Sequence, residues 1–117
     1  MVTDLKTGYV LVLDCGTQSM RCIVYDAKGV LLGVAKVKYP AYETTDEGFI
    51  EMHPDIFWDS ACSAVEKFWQ QNPEIMDKVV AVTLASKRST SVFVDKDGKP
   101  LRNAISWMDT RKLKDNY

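Results

Sequence analysis

Polar groups suited to phosphate chemistry follow a short apolar run near the start of the chain. After the run Tyr9–Leu13 come an aspartate, a glycine and three hydroxyl or amide side chains, which are Asp14, Gly16, Thr17, Gln18 and Ser19. Backbone N–H groups of a glycine turn, with hydroxyls beside them, form a concavity that accepts phosphate oxygens. An aspartate at that place can hold a hydrated magnesium ion that bridges those oxygens. By composition alone, the alternative of a plain hairpin turn is the more common outcome.

The composition indicates one small domain without a nucleic-acid or membrane signature. The 117 residues are 46% hydrophobic and carry a net charge of −1, so no excess of basic residues favours nucleic acid or anionic lipid. Apolar runs stay short of the roughly 18 residues of a membrane span, and the first residues lack a signal-peptide core. We therefore expect a soluble cytoplasmic protein.

The cysteines and the histidine give no disulfide or zinc pattern. Cys15, Cys22 and Cys62 are odd in number, lack CxxC spacing and lie in apolar contexts. We interpret them as buried free thiols in a reducing cytoplasm. A lone His53 without paired cysteines leaves no zinc site to propose.

Three strands are predicted in the first part of the chain, and they would position Asp14. The apolar run before Asp14, the alternating segment Arg21–Tyr25 and the segment Val30–Tyr39 each predict a strand. A turn over 26–29, with Asp first and Gly last, joins the second and third strands. Tight connections of this kind predict an antiparallel meander. The polar segment Pro40–Met52 is expected to be an irregular surface loop.

A helix and a fourth strand follow. His53 is the expected N-cap, Pro54 the first helical residue, and Asn72-Pro73 the stop. The apolar stripe predicted to face the sheet has spacings of three and four residues and consists of Trp58, Ala61, Cys62, Val65, Phe68 and Trp69. The run over 79–85 then predicts a strand parallel to an earlier one, connected by a right-handed crossover.

Further strands are predicted in the last third of the chain. Val92–Val94 and Leu101–Trp107 are the expected strands, and the segment 95–100 between them is the turn. Asp109 has the position of an N-cap that opens a helix running to the end of the chain.

Three segments of the chain have the spacing of known motifs. Residues 13–21 read Leu-Asp-Cys-Gly-Thr-Gln-Ser-Met-Arg. They resemble the first phosphate motif of the FGGY family of carbohydrate kinases, which includes glycerol kinase and xylulokinase. Residues 97–111 read Asp-Gly-Lys-Pro-Leu-Arg-Asn-Ala-Ile-Ser-Trp-Met-Asp-Thr-Arg and resemble its G-x-P-L-x-x-A-I-x-W-x-D-x-R segment. Residues 48–54, Gly-Phe-Ile-Glu-Met-His-Pro, fit its entry into a helix. The second likeness is specific to the family, and it favours the phosphate interpretation of the opening turn.

The resemblance implies an α/β fold of the ribonuclease H-like type, shared by actin-like ATPases and sugar kinases. In that fold the first part of the N-terminal domain has an antiparallel three-strand meander, a crossover helix and further strands. Residues 1–117 would form this part of the domain. The implied activity is transfer of the γ-phosphate of ATP to a hydroxyl of a sugar or polyol, with ATP and Mg²⁺ as cofactors.

The resemblance also implies roles for individual residues. Asp14 would position the magnesium ion through water, and the nucleotide phosphates would lie beside Gly16, Thr17, Gln18 and Arg21. On the acceptor side, Arg88 matches an arginine that binds substrate hydroxyls in glycerol kinase, and Trp107 matches a tryptophan that closes over the polyol. Physics agrees with this placement, since ligands of open α/β sheets bind beyond the carboxyl ends of strands. The alternatives are a surface cation at Arg88 and a core aromatic at Trp107.

One departure bears on the substrate. Glycerol kinase has a glutamate after its arginine, whereas this chain has Ser89, and the Met-His-Gly stretch of xylulokinases is replaced by residues 87–90, Lys-Arg-Ser-Thr. We therefore expect a xylulose-like pentose, another ketose or a longer polyol rather than glycerol.

The family's catalytic base and adenosine site have no counterpart in these 117 residues. We expect the isolated chain to be inactive and to self-associate through an uncovered part of its sheet. A pseudokinase or sugar-sensing module of the same fold is the alternative function. A relative of the actin-like ATPases is a third possibility, which the segment 107–111 disfavours.

Overall fold

The computed structural model describes residues 6–112 and divides into two compact units. The first unit holds the chain up to Tyr39 together with Phe57–Lys87, and the second holds Pro40–Ile56 and the chain from Arg88 onward. The described strands are β1 (Tyr9–Cys15), β2 (Ser19–Tyr25), β3 (Leu31–Lys38), β4 (Glu43–Thr44), β5 (Ile50–Met52), β6 (Val79–Ser86) and β7 (Ala104–Ile105). The described helices are α1 (Asp55–Gln71) and α2 (Pro73–Met76).

The first unit is built on a four-stranded sheet in the order β3-β2-β1-β6. β2 is antiparallel to both β1 and β3, and β6 is parallel to β1. The predicted meander and the parallel fourth strand are therefore confirmed. Since α1 lies in the chain between β3 and β6, the helix belongs to the crossover that a parallel pair requires.

The burial of side chains alternates along β2 and shows which face of the sheet is covered. Met20, Cys22 and Val24 are buried, whereas Arg21 and Ile23 between them are partly exposed. Phe68 of α1 is fully buried and lies against β3, where a side-chain carbon on Gly33 would come within 3.0 Å of its ring. Burial of one such aromatic ring contributes about 1.5–3 kcal/mol. The covered face is thus the one that carries Cys22, and Arg21 lies on the other face.

The predicted stripe on α1 is confirmed at Ala61 and Phe68 and is wrong at Trp58, Cys62 and Trp69. The buried residues of the helix are Ser60, Ala61, Ala64 and Phe68. Trp58 and Trp69 are 70% and 54% exposed, and Cys62 is exposed as well. The face with the alanines is buried instead of the neighbouring face with the two tryptophans. None of the described helices is both long and apolar enough to cross a membrane.

The start of α1 agrees with the sequence prediction. The N–H of Asp55 donates to Nδ1 of His53 at 3.3 Å, and the N–H of Ile56 donates to the carbonyl of His53 at 3.2 Å. Pro54 between them needs no partner for its nitrogen. His53 therefore acts as the cap. At the other end, the N–H of Asn72 donates to the carbonyl of Phe68 at 2.9 Å, directly before Pro73.

The second unit contains more regular structure than predicted in one segment and less in another. Its three-stranded sheet has the order β4-β5-β7, so the expectation of an irregular loop over Pro40–Met52 was wrong. Within Val92–Val94 only Val94 forms a bridge, to Pro100, and the strand expected over Leu101–Trp107 shortens to β7. The turn between them is confirmed, because the N–H of Gly98 donates to the carbonyl of Asp95 at 3.1 Å.

We predict that Cys22 and Cys62 differ strongly in reactivity. Cys62 is exposed, whereas Cys22 is buried and burial raises the pKa of its thiol to about 11. Because the thiolate is the nucleophile, iodoacetamide at neutral pH should alkylate Cys62 first and Cys22 last, as followed by peptide mass spectrometry. Unfolding with denaturant should remove the difference. Equal labelling rates in the native protein would contradict the burial of β2 beneath α1.

Candidate active site

The end of β1 carries the first group of candidate residues. Asp14 lies opposite Arg21 in the antiparallel register, and Arg21 Nη2 is 2.9 Å from Asp14 Oδ2. Both side chains remain partly exposed, at 26% for Asp14 and 40% for Arg21. The pairing follows from the strand register, which places the two residues side by side on the face opposite Cys22. A carboxylate and a guanidinium are therefore presented together at the carboxyl end of β1.

Gly16 begins the β1–β2 turn (residues 16–18). Its N–H donates to the carbonyl of Ser19 at 3.0 Å, which closes the turn. A Cβ atom on Gly16 would lie 3.0 Å from Arg21 Nη2 and 3.1 Å from the carbonyl oxygen of Ser19. The guanidinium thus packs directly on the glycine, and any larger residue would displace Arg21 or the turn. Glycine permits this close approach because it has no side chain.

Thr17 and Gln18 occupy the tip of this turn. Thr17 is half-buried and Gln18 is exposed, so the Gln18 amide is accessible to a ligand. The carbonyl of Gln18 accepts the N–H of Tyr39 at 3.0 Å, which holds the backbone of the tip from β3. The structure therefore brings Asp14, Gly16, Thr17, Gln18 and Arg21 into one local arrangement.

The residues of this turn fit a phosphate–magnesium complex that is held mainly by water and by the phosphates. No group of three or more acidic, histidine or cysteine side chains gathers within residues 6–112 to form a full protein cage for a metal. Mg²⁺ commonly needs only one or two carboxylates, since water and phosphate oxygens fill its remaining positions. Nε of Arg21 is buried and has no partner in the part of the chain that the structure describes. A guanidinium with an unused donor is suited to a phosphate oxygen.

Lys87 also reaches this turn, although the sequence reasoning assigned it no role. Nζ of Lys87 donates to the carbonyl of Gly16 at 3.2 Å and lies 3.8 Å from the centroid of the Phe57 ring. Burial lowers the pKa of the Lys87 ammonium below its ordinary value, and the neighbouring Cys15 partly opposes that shift. The available signal was topological, because the carboxyl ends of the parallel strands β1 and β6 meet at one edge of the sheet.

The acceptor-side residues belong to the second unit. Arg88 and Ser89 are exposed, and Ser89 adopts a φ of 56°, a left-handed backbone conformation that non-glycine residues rarely take. Trp107 is 54% exposed, which argues against a core role for its side chain. The bridge between Ser91 and Ile105 and a bond from the N–H of Trp107 to Thr90 Oγ1 at 3.4 Å bring these two segments together. Backbone strain of this kind concentrates at functional sites.

The W-x-D-x-R segment is held by an ion-pair network within the second unit. Asp109 accepts the N–H of Ile50 at 2.7 Å and bonds of 2.7 and 2.6 Å from the guanidinium of Arg111. Arg111 also pairs with Glu51 and lies 4.0 Å above the ring of Phe49. Hydrogen bonds from Arg111 hold the pKa of Asp109 well below its ordinary range. These side chains fasten residues 49–51 to residues 109–111.

The structure around Asp109 bears on the helix that was predicted to start at this residue. The N–H of Arg111 donates to Asp109 Oδ1 at 3.1 Å, a bond typical of an N-cap. The chain nevertheless stays non-helical as far as Lys112, and the rest of the helix predicted after Asp109 lies outside the described residues. The aspartate therefore anchors a loop, a role that capping rules do not predict.

Comparison with known proteins assigns this architecture to a family. The described sheet and helix have the α/β fold of sugar kinases, of the ribonuclease H-like type: a xyloylose kinase from Brucella ovis matches with a TM-score of 0.83 at 22% identity over 88% of this chain and 22% of its own. A Plasmodium falciparum glycerol kinase with ADP matches with a TM-score of 0.72 at 24% identity, over 90% of this chain and 21% of its own. The family model for the N-terminal domain of the FGGY family of carbohydrate kinases matches residues 9–115. The chain belongs to that family.

Curated relatives agree with the assignment. A glycerol kinase from Allorhizobium ampelinum is 35% identical over 105 residues, which is 89% of this chain and 21% of the relative. A glycerol kinase from Thermococcus gammatolerans is 32% identical over 103 residues, or 88% of this chain and 21% of the relative. The chain therefore spans about a fifth of the length of the relatives it matches.

We predict that Asp109→Asn lowers the thermal midpoint of unfolding at neutral pH. The folded-state pKa of Asp109 lies below its unfolded value of about 4, so the carboxylate stabilises the fold above that pH and loses this effect as the pH falls. The difference between the midpoints of wild type and variant, measured by circular dichroism, should begin to narrow as the pH falls below about 4 and continue to narrow at lower pH. The control is Asp97→Asn, at an exposed pair with Lys96. An equal midpoint for wild type and Asp109→Asn at neutral pH would contradict the anchoring role.

Proposed function

We propose that the polypeptide carrying this chain is an ATP-dependent carbohydrate kinase that transfers the γ-phosphate of ATP to a hydroxyl of a sugar or polyol. The observation that carries the proposal is the arrangement of Asp14, Gly16 and Arg21 at the carboxyl end of β1, in a chain of the FGGY family. Residues 1–117 form the first part of the N-terminal domain in this proposal. Because the matched relatives are much longer, phosphoryl transfer needs further chain that supplies the base and the adenosine site.

Asp14 and its neighbours act on the phosphates. Mg²⁺, when bound, neutralises charge that develops on the transferring group. Asp14 orients that hydrated ion through water. The Thr17 hydroxyl, the Gln18 amide and the Arg21 guanidinium donate to the phosphate oxygens. Gly16, whose N–H is bonded within the turn, lets the phosphates approach the backbone closely. The Asp14–Arg21 pair keeps both groups in place before nucleotide binds, so little reorganisation is needed at the moment of transfer.

Arg88, Ser89 and Trp107 bind the acceptor in this proposal. Arg88 donates to acceptor hydroxyls, and Trp107 offers a partly exposed aromatic surface to the carbon skeleton. Ser89 provides a short hydroxyl where glycerol kinases have a glutamate, and this leaves room together with one fewer anionic hydrogen-bond acceptor. We therefore favour a xylulose-like pentose, another ketose or a longer polyol over glycerol, although the curated relatives described above are glycerol kinases.

The cellular setting belongs to the same proposal. Cys15, Cys22 and Cys62 are free in the structure, as suits the reducing cytoplasm. The partners are ATP and the small-molecule acceptor, and neither nucleic acid nor membrane is required. Val82 and Leu84 of β6 are 63% and 74% exposed, so this strand offers an apolar surface that a second copy could cover.

We predict that Asp14→Ala in the complete polypeptide lowers kcat on the order of a hundredfold, with a smaller effect on nucleotide affinity. The reason is that a group acting on transition-state charge contributes little to ground-state binding. A coupled ADP-release assay with a panel of sugars gives kcat, and calorimetry gives the affinity for ADP. Asp59→Asn, at an exposed carboxylate on α1, is the control. A wild-type kcat in Asp14→Ala would refute the proposed role of Asp14 at the metal and phosphates.

We predict that the wild-type enzyme prefers pentoses, ketoses or longer polyols to glycerol as acceptor. Ser89→Glu should shift the ratio of kcat/KM values towards glycerol, on the order of tenfold, because a carboxylate supplies a charged acceptor for glycerol hydroxyls. Ser63→Glu, on the exposed face of α1, controls for the added charge. A clear preference of the wild type for glycerol would refute the substrate proposal while leaving the kinase proposal intact.

A further inference from the structure

Lys87 is tied twice to the segment that leads into the β1–β2 turn. Its N–H donates to the carbonyl of Cys15 at 3.1 Å, which continues the pairing of β6 with β1 by one residue. Its Nζ donates to the carbonyl of the next residue, Gly16, at 3.2 Å. One residue thus holds two consecutive carbonyls where β1 gives way to the turn.

Two aromatic rings hold the ammonium of Lys87 in this position. Nζ lies 3.8 Å from the centroid of Phe57 and 5.1 Å from that of Tyr39, and the two rings meet edge to face at 5.5 Å. A cation over an aromatic face is attracted by the ring quadrupole, more strongly when water is excluded. Tyr39 also donates its N–H to the carbonyl of Gln18 at 3.0 Å, so the same cluster supports both ends of the turn.

The Lys87 side chain is more buried than that of a typical surface lysine. Nζ of Lys67 also donates to a backbone carbonyl, that of Lys36 at 3.3 Å, but this pair is exposed. Lys87 is half-buried, and partial loss of water disfavours its charged form unless the protein supplies other partners. The rings and the Gly16 carbonyl are such partners. Asp14 and Cys15 point to opposite faces of β1, so Lys87 acts from the Cys15 side, away from the carboxylate.

We propose that Lys87 is a positioning residue for phosphoryl transfer, which fixes the β1–β2 turn by holding the carbonyl of Gly16. The proposal rests on the proposed kinase function. The Gly16 backbone must keep its place for the amides of the turn and the guanidinium of Arg21, which packs on Gly16, to meet the phosphates together. Loss of the ammonium would loosen the turn and lower kcat. The KM for the acceptor would not change, since other residues bind it.

The test compares Lys87→Met, Lys87→Arg and the control Lys67→Met in the complete polypeptide. Lys87→Met should lower kcat by on the order of tenfold or more with the acceptor KM unchanged, because small displacements of a positioned group are costly. Lys87→Arg should recover most of the loss, since a guanidinium can donate to the carbonyl and stack on the rings. Lys67→Met should match the wild type. Phe57→Leu keeps the Lys87 ammonium but removes one of its aromatic partners, and it should lower kcat by a smaller factor. This variant replaces Lys87→Met in the test if Lys87→Met does not fold.

A second measurement is independent of catalysis. In ¹⁵N-resolved NMR spectra, the amide shifts of Gly16, Thr17 and Gln18 should move in Lys87→Met and stay in place in Lys67→Met. Unchanged turn amides in Lys87→Met, or wild-type kcat in both Lys87→Met and Phe57→Leu, would overturn the proposal. A wild-type protein without phosphotransfer to any acceptor would refute the kinase function alone, and the amide shifts would still decide the role of Lys87.

Discussion

Strand β1 is hydrogen bonded along both edges, antiparallel to β2 and parallel to β6. This double pairing fixes its register, and a slip of one residue would move Asp14 to the opposite face of the sheet. In the observed register Asp14 lies beside Arg21 of β2, and the end of β6 brings Lys87 to the carbonyls of Cys15 and Gly16. The candidate phosphate site therefore depends on the pairing of one strand, and its charges come from three different strand ends.

In the second unit, buried charged side chains hold segments of the backbone together. Asp109, Arg111 and Glu51 form a connected network in which the Asp109 and Arg111 side chains are 5% and 16% exposed. Charged groups so far out of water are stable only when their hydrogen bonds are satisfied, and this network provides them. The aspartate and arginine of the W-x-D-x-R segment thus hold the backbone, whereas the tryptophan remains partly exposed. A motif that identifies a family need not consist of residues that touch its substrate.

Local patterns predicted the parts of this chain that local physics determines. The apolar run before Asp14, the alternation after Arg21 and the cap at His53 each depend on neighbours in sequence, and all three are confirmed. The predicted stripe of α1 was right at Ala61 and Phe68 and wrong at Trp58 and Trp69, because tryptophans outweigh alanines in an apolar pattern. The strands β4 and β5 escaped prediction because a polar sequence can pair when distant partners fix it: Glu43 of β4 accepts a hydrogen bond from Asn103, and Glu51 of β5 pairs with Arg102 and Arg111. Lys87 was missed because its role arises from contacts distant in the sequence.

In the proposed function, the β1–β2 turn binds the metal–nucleotide phosphates beside Asp14. Paramagnetic broadening by Mn²⁺ and ADP tests it directly in ¹⁵N spectra of the complete polypeptide, because broadening falls steeply with distance from the ion. In the wild type we expect the amides of Gly16, Thr17 and Gln18 to broaden when Mn²⁺ and ADP are bound. Turn amides that stay sharp in a wild-type protein that binds Mn²⁺ and ADP would contradict it.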